Sequence, residues 1–295
     1  MRPLTFSSGS GPVPSAPGSG RLPLGAAGIA AGVAAVLAVA GGWIALAVMV
    51  AAVPPGGRGA LGPLMGLFGE PDLPLELQAA LAALCTTGSG AAPFSAAALG
   101  GAAAMWLAMT VAMMLPPVVP AFVRFARVDA AAGAPGAIAR ILAAAAGYGL
   151  VWVTFAALAA LGQTVLLAVG ALTPALVPAS TVLAGTTLVA AGLYQFTPLK
   201  QACLERCRRP AIPPLAAHPR TALAAAAADA AAGLGSCAGP MAAMLALGLM
   251  NVVWMAILTL VIVAEKATHG QAVPRAVGLG LLAGGAATLA PLVLG

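Results

Sequence analysis

Over most of the chain, apolar residues fall in runs of about twenty, separated by short polar stretches. That is the length an α-helix needs to cross a ~30 Å hydrocarbon core at 1.5 Å rise per residue. The runs predict spans near residues 25–53, 95–117, 140–169, 180–199, 222–247, 250–266 and 275–294. The fold class is therefore all-α, a polytopic membrane helical bundle of about seven transmembrane helices. The run from Ala222 to Ala264 is the delicate case, because as one helix it would be roughly twice as long as the core is thick. It must break, and Gly248 to Asn251 is the place where Gly and Asn favour a turn. Residues 1–23 are rich in Ser, Gly and Pro and are expected to be a disordered cytoplasmic tail. Residues 24–295 then form a single transmembrane domain with an outer loop at about 54–94. The first apolar run exceeds the ~7–15 residues of a signal-peptide core and is expected to stay as an anchor.

Composition strengthens this picture. The chain is 61% hydrophobic and only 7% charged, which excludes an ordinary soluble surface. The net charge of +6 does not point to nucleic acid, since the basic residues sit in short loops without interleaved aromatics. They report orientation instead, because Lys and Arg collect on the cytoplasmic side. With the N-terminus in, the C-terminus out and seven spans, Arg58 alone of the 13 basic residues falls outside. Treating 222–266 as one crossing would move Lys266 and Arg275 outside as well.

With so few charges in the spans, candidate chemistry shifts to sulfur. In AMWLAMTVAMMLPP, the four-residue steps place Met105, Met109 and Met113 on one helix face, about 6 Å apart along the axis. Thioethers are soft ligands that suit Cu(I); a Met stripe also serves as adaptable packing. In YQFTPLKQACLERCRRP, Cys203 and Cys207 lie four apart, on one face if the helix continues to Arg209. Lys200, Arg206, Arg208 and Arg209 are expected to lower their thiol pKa values. Two thiols suffice for a two-coordinate Cu(I) site, whereas zinc would need further ligands. The same basic segment also fixes topology and attracts anionic lipid.

Cys237, in GLGSCAGPMAAM, is placed by helical rise ~24 Å beyond Thr221, toward the outer surface. There it would meet Cys85 of the outer loop, as a disulfide, a shared soft-metal site or two unrelated thiols. Asp229 is an acid within a span, where an unpaired charge costs about 2.5–3.5 kcal/mol on insertion scales. It is expected to be neutral, snorkelling or paired with an inner-side Arg. With Gln163 and Asn251 it forms the alternative polar site. Gly28 with Gly32, and Gly280 with Gly284, have the GxxxG spacing of close helix contacts. His218 and His269 read as loop residues. No nucleophile with its base, phosphate loop, dinucleotide motif or HExxH helix is present, so an enzyme is not expected.

Three stretches together resemble the bacterial predicted metal-binding integral membrane proteins, a family of unknown function. They are AMWLAMTVAMMLPP at 104–117, LVAAGLYQFTPLKQACLERCRRP at 188–210 and GLMNVVWMAILTLVIVAEK at 248–266. The middle stretch is the most specific, with Tyr194, Thr197, Pro198, Leu199, Lys200, Cys203 and Cys207 in the family's order and spacing. GYGLVWVTFAAL at 147–158 adds a weaker match, and the resemblance covers about residues 95–270. It implies a multi-pass protein of the bacterial inner (plasma) membrane that handles metal. Many members also carry a His-Gly pair and a Cys cluster before the Met-Asn-x-x-Trp stretch; here that region has no His and retains Cys237 alone. What carries over is the Met stripe and the Cys203/Cys207 pair.

The leading expectation is thus non-catalytic binding or handing on of a soft metal, copper before zinc. The alternatives are a small-solute or ion permease and a structural subunit of a membrane complex. The expected partners are the lipid bilayer and other membrane proteins or further copies of the chain, with no nucleic acid.

Overall fold

The computed structural model describes residues 26–51, 74, 76, 94–120, 122–123, 136–209 and 218–294. The described residues contain eight named helices: α1 Ala26–Ala51, α2 Ala96–Met114, α3 Ala137–Ala168, α4 Thr181–Tyr194, α5 Pro198–Arg208, α6 Pro219–Leu247, α7 Val252–Ala267 and α8 Ala272–Leu294. The expected tail at 1–23 and nearly all of the expected outer loop at 54–94, Cys85 included, lie outside the described residues.

Local chemistry sets the helix starts. Ser95, Ser180, Thr197 and Asn251 each accept a backbone N–H three residues on, from Ala98, Leu183, Lys200 and Trp254. These side chains satisfy donors that have no partner inside the helix. His218 does the same through Nδ1, which accepts from the Arg220 N–H, so this residue is a helix cap and not a free loop His. Pro198 and Pro219 occupy first-turn positions, where a missing N–H costs nothing. The long run at 222–266 breaks where the sequence indicates: α6 ends at Leu247, Gly248 adopts φ 98°, and Asn251 caps α7.

Five helices, α1, α2, α3, α6 and α8, are long and apolar enough to cross a membrane, or six if the bent pair α4–α5 counts as one span. This departs from the seven spans of the sequence reading, although every one of the seven runs is helical. The reason is length. α4 has 14 residues and α7 has 16, which gives about 21 Å and 24 Å at helical rise, short of a ~30 Å core. After Tyr194 the chain bends by 63° into the polar helix α5.

α6 is central. It packs along α3, α4 and α5 and touches α7; α1 lies on α2, and α4 pairs with α8. The α4–α8 contact rests on small residues, though not the pair expected. A Cβ at Gly192 would stand 3.0 Å from the Gly278 carbonyl, and one at Gly285 would stand 2.9 Å from the Gly185 carbonyl. Gly280 faces open space and Gly284 meets Leu188 only at 4.0 Å. Gly32 approaches nothing closer than 3.8 Å, and Gly28 is among the residues whose side-chain surroundings are not described. The turn joining α3 to α4 closes on a Leu172–Pro178 bridge. Leu176 in that turn is buried with φ 58°, and its carbonyl accepts the Leu249 N–H, pinning the turn to the α6–α7 corner.

Candidate functional site

The main core is rich in sulfur. Met49 of α1, Met105, Met109, Met113 and Met114 of α2, Met241 and Met244 of α6, Met250 beside the α6–α7 corner and Met255 of α7 all lie in one buried cluster. That is nine of the chain's 11 methionines. The expected stripe is therefore fully inward: Met105, Met109 and Met113 have no exposed surface. Cys237 is in the same cluster, its Sγ 3.5 Å from Met241 Sδ. Beside this core runs an apolar crevice of about 290 Å³, lined by Trp106, Phe155, Gln163, Leu166, Met241 and Leu245 among others.

A second group forms where α5 lies on α6. Pro240 sits inside α6 and has no N–H, so the carbonyl four residues earlier, that of Ser236, loses its helical donor. Lys200 supplies one: its Nζ, with no exposed surface, donates to the Ser236 carbonyl and also pairs with Glu265 Oε2 at 2.6 Å. Just before it, the Gly235 carbonyl accepts the Tyr194 hydroxyl at 2.8 Å. The thiols rest on the same turn. A Cβ at Gly235 would stand 2.5 Å from Cys203 Sγ, and Cys207 Sγ donates to Ser236 Oγ at 3.6 Å. The buried ion pair thus joins α5, α6 and α7 in one place. Removing one partner of such a pair costs about 3–5 kcal/mol, because the other charge is left buried alone.

The structure brings Cys203, Cys207 and Cys237 to one stretch of α6, residues 235–237, and corrects the expected place of Cys237. That residue is free, wholly buried and level with α5, not at the outer end of α6. The helical rise placed it at the right height above Thr221, but α6 continues to Leu247, another ~15 Å. The proposed meeting with Cys85 lies outside the described residues.

The expected lowering of the thiol pKa also fails for Cys203. Burial pushes it above its ordinary value, the neighbouring Cys207 adds to this, and Lys200 only opposes. The nearby cations are committed elsewhere: Lys200 to Glu265, Arg206 to Asp229 at 3.0 Å, and Arg208 to Glu205 and to the Glu265 carbonyl.

Asp229, Gln163 and Asn251 do not converge. Asp229 meets Arg206, as one of its expected outcomes required; Gln163 accepts the Trp106 indole N–H at 2.9 Å; Asn251 caps α7. Asp229 and the end of α6 at Leu247 are about 27 Å apart along the helix. Sequence reasoning passed over Glu265, an acid within the run it assigned to the sixth span, and the helix-interior Pro240. The signal was available, since an ionisable residue in such a run needs a partner and an interior proline frees a carbonyl four residues back.

Among the described residues no three His, Cys, Asp or Glu side chains come together to hold an ion, so the hard and borderline donors of a closed zinc site are not assembled. The soft donors gathered in the core are thioethers together with the Cys237 thiol, a ligand type that suits Cu(I) in general. Fold and site together define an all-helical protein with several helices of membrane-crossing length and a sulfur-lined interior. Residues 103–288 match the family PpoB2, described as copper chaperone. The chain belongs to that family. The match agrees with the metal handling implied by the sequence resemblance. Comparison with curated proteins and with solved structures found no match.

Proposed function

We propose that this chain is a membrane-embedded copper chaperone that binds Cu(I) and hands it on without catalysing a reaction. Copper is its cargo. Cys203 and Cys207 receive or release the ion where α5 meets α6, and Met105, Met109 and Met113 hold it within the core, with Cys237 and Met241 between the two groups. In this reading the N-terminus is cytoplasmic and α5 lies at the inner face of a bacterial plasma membrane. The short helices α4 and α7 then complete their crossings with polar turns at that face. The basic residues on α5, Lys266 and Arg275 support this orientation.

The observation that carries the reading is the gathering of nine methionines and Cys237 in one buried cluster of a copper-chaperone family member. Packing alone has no need for so many residues of this type, since Leu and Ile define a core better. Anaerobic Cu(I) titration of the purified protein against a chromophoric competitor tests it, with X-ray absorption reporting the shell. Binding with sulfur-only ligation is expected, reduced in Cys203→Ser/Cys207→Ser and, separately, in Met105→Leu/Met109→Leu/Met113→Leu. Copper far below one equivalent in wild type, unchanged in both variants, would overturn the reading.

A further inference from the structure

The thiol pair reaches α6 at the turn where that helix is interrupted. Pro240 leaves the Ser236 carbonyl without its helical donor, and the replacement comes from α5 itself, in the form of the buried Lys200 ammonium. Glu265 of α7 holds the ammonium from the other side at 2.6 Å. Cys203 follows Lys200 by three residues and Cys207 by seven, so all three project from one side of a helix with 3.6 residues per turn. Fixing Lys200 therefore fixes the roll of α5. Its consequence is visible in the contacts: Cys203 lies against Gly235, where a Cβ would come within 2.5 Å of its sulfur, and Cys207 reaches Ser236 Oγ.

We propose that Lys200 is the positioning residue of the Cys203/Cys207 pair, drawn into α6 by the carbonyl that Pro240 leaves free and clamped there by Glu265. The ammonium does not touch the metal. It sets the face that α5 presents, so that both thiols lie on the same strip of α6. The proposal rests on the reading of these two cysteines as Cu(I) ligands.

The test uses the full chain in detergent micelles, with two readouts: the rate of maleimide labelling of Cys203 and Cys207 in the metal-free protein, followed by mass spectrometry, and the Cu(I) affinity of the pair by competition. Lys200→Met alone leaves Glu265 as a lone buried charge and is liable to unfold, so Lys200→Met/Glu265→Met removes both charges. This double variant is expected to stay folded, to label faster at both thiols and to bind Cu(I) about tenfold more weakly, the factor that corresponds to one lost hydrogen bond from a charged donor. Pro240→Ala gives the Ser236 carbonyl a helical N–H again and changes no residue of α5 and no cysteine. It is expected to raise the labelling rate of both thiols too, which a Lys200 serving only as half of an ion pair would not produce. Unchanged labelling and affinity in a folded Lys200→Met/Glu265→Met protein, or unchanged labelling in Pro240→Ala, overturns the proposal. Cys203→Ser/Cys207→Ser separates the two ideas. If copper uptake ignores that change, the ligand assignment fails and the affinity arm goes with it, while the labelling rates still decide whether Lys200 positions α5.

Discussion

At Gly147 α3 comes close to the backbone of α6, and the cost of filling this position follows from the distances. A Cβ at this position would run into the Leu223 carbonyl oxygen and stand 2.9 Å from its carbon and 3.0 Å from its Cα. All three are backbone atoms of α6, so no side chain can rotate away. Restoring ordinary contact requires α3 and α6 to part locally by roughly 1 Å, and a gap of that size forfeits about a quarter to a half of each neighbouring van der Waals contact. Overpacking of this kind costs about 1–3 kcal/mol, and a target made of backbone belongs at the upper end. Ala in place of Gly returns about 1 kcal/mol of helix propensity. Gly147→Ala should therefore destabilise the protein by about 2 kcal/mol.

Gly149 is the matched control. It lies on the same helix, two residues on, and a Cβ there meets nothing within 4 Å. Gly149→Ala should gain up to about 1 kcal/mol, which separates the two variants by roughly 6–12 °C in melting temperature. Thermal unfolding in detergent, followed by intrinsic fluorescence of the tryptophans, reads the difference. A Gly147→Ala protein that melts at or above Gly149→Ala would show that the α3–α6 contact is not backbone-limited and that the close approach described above is wrong.

Two further outcomes bear on the site. Asp229→Asn removes a pair whose Arg206 partner is about half exposed, and exposed pairs contribute no more than about 1 kcal/mol; copper binding should stay within about twofold of wild type, and loss of solute uptake in this variant would instead revive the permease alternative. Because burial raises the Cys203 thiol, its neutral form is favoured in the folded protein and thiolate appears only at higher pH. Its alkylation by iodoacetamide should show a midpoint above that of the same cysteine in denaturant, and a midpoint below it would mean that the basic residues of α5 do govern the thiol.

Much of the helix pattern was legible in the hydropathy alone, since helix ends coincide with changes that a residue's type announces. Gly248 and Asn251 mark the α6–α7 corner because one tolerates a positive φ and the other caps a helix. The number of spans was not legible to the same degree. A run of apolar residues counts toward a span whether it is one helix or a helix and a turn, and only the Thr197–Pro198 cap shows that α4 stops at Tyr194. The glycine contacts were least legible. With 37 glycines in the chain, several GxxxG pairs arise by chance, whereas the glycines that approach a neighbour's backbone, Gly185 with Gly192 and Gly278 with Gly285, are seven apart, two turns of helix on one face.

For the site, the sulfur positions were readable and their surroundings were not. The four-residue steps of Met105, Met109 and Met113 do translate into one buried face, because periodicity within a helix survives folding. The basic residues around Cys203 promised a thiolate there, and the promise failed because burial outweighs them and a cation's influence depends on where its charge is spent. Lys200 and Glu265 are 65 positions apart, and no local rule joins them. Yet a physical rule does connect three of the residues involved. Pro240 withholds an N–H, the carbonyl four positions back is that of Ser236, and a buried carbonyl without a donor costs about 1–3 kcal/mol, so some other group must reach it. The Lys200 side chain reaches it from α5, brings Cys203 and Cys207 onto the same turn and requires Glu265 to balance its charge. In a sequence this poor in charge, a proline inside a span and a lysine near its neighbour's end are thus a better guide to the site's construction than the count of basic residues around its thiols.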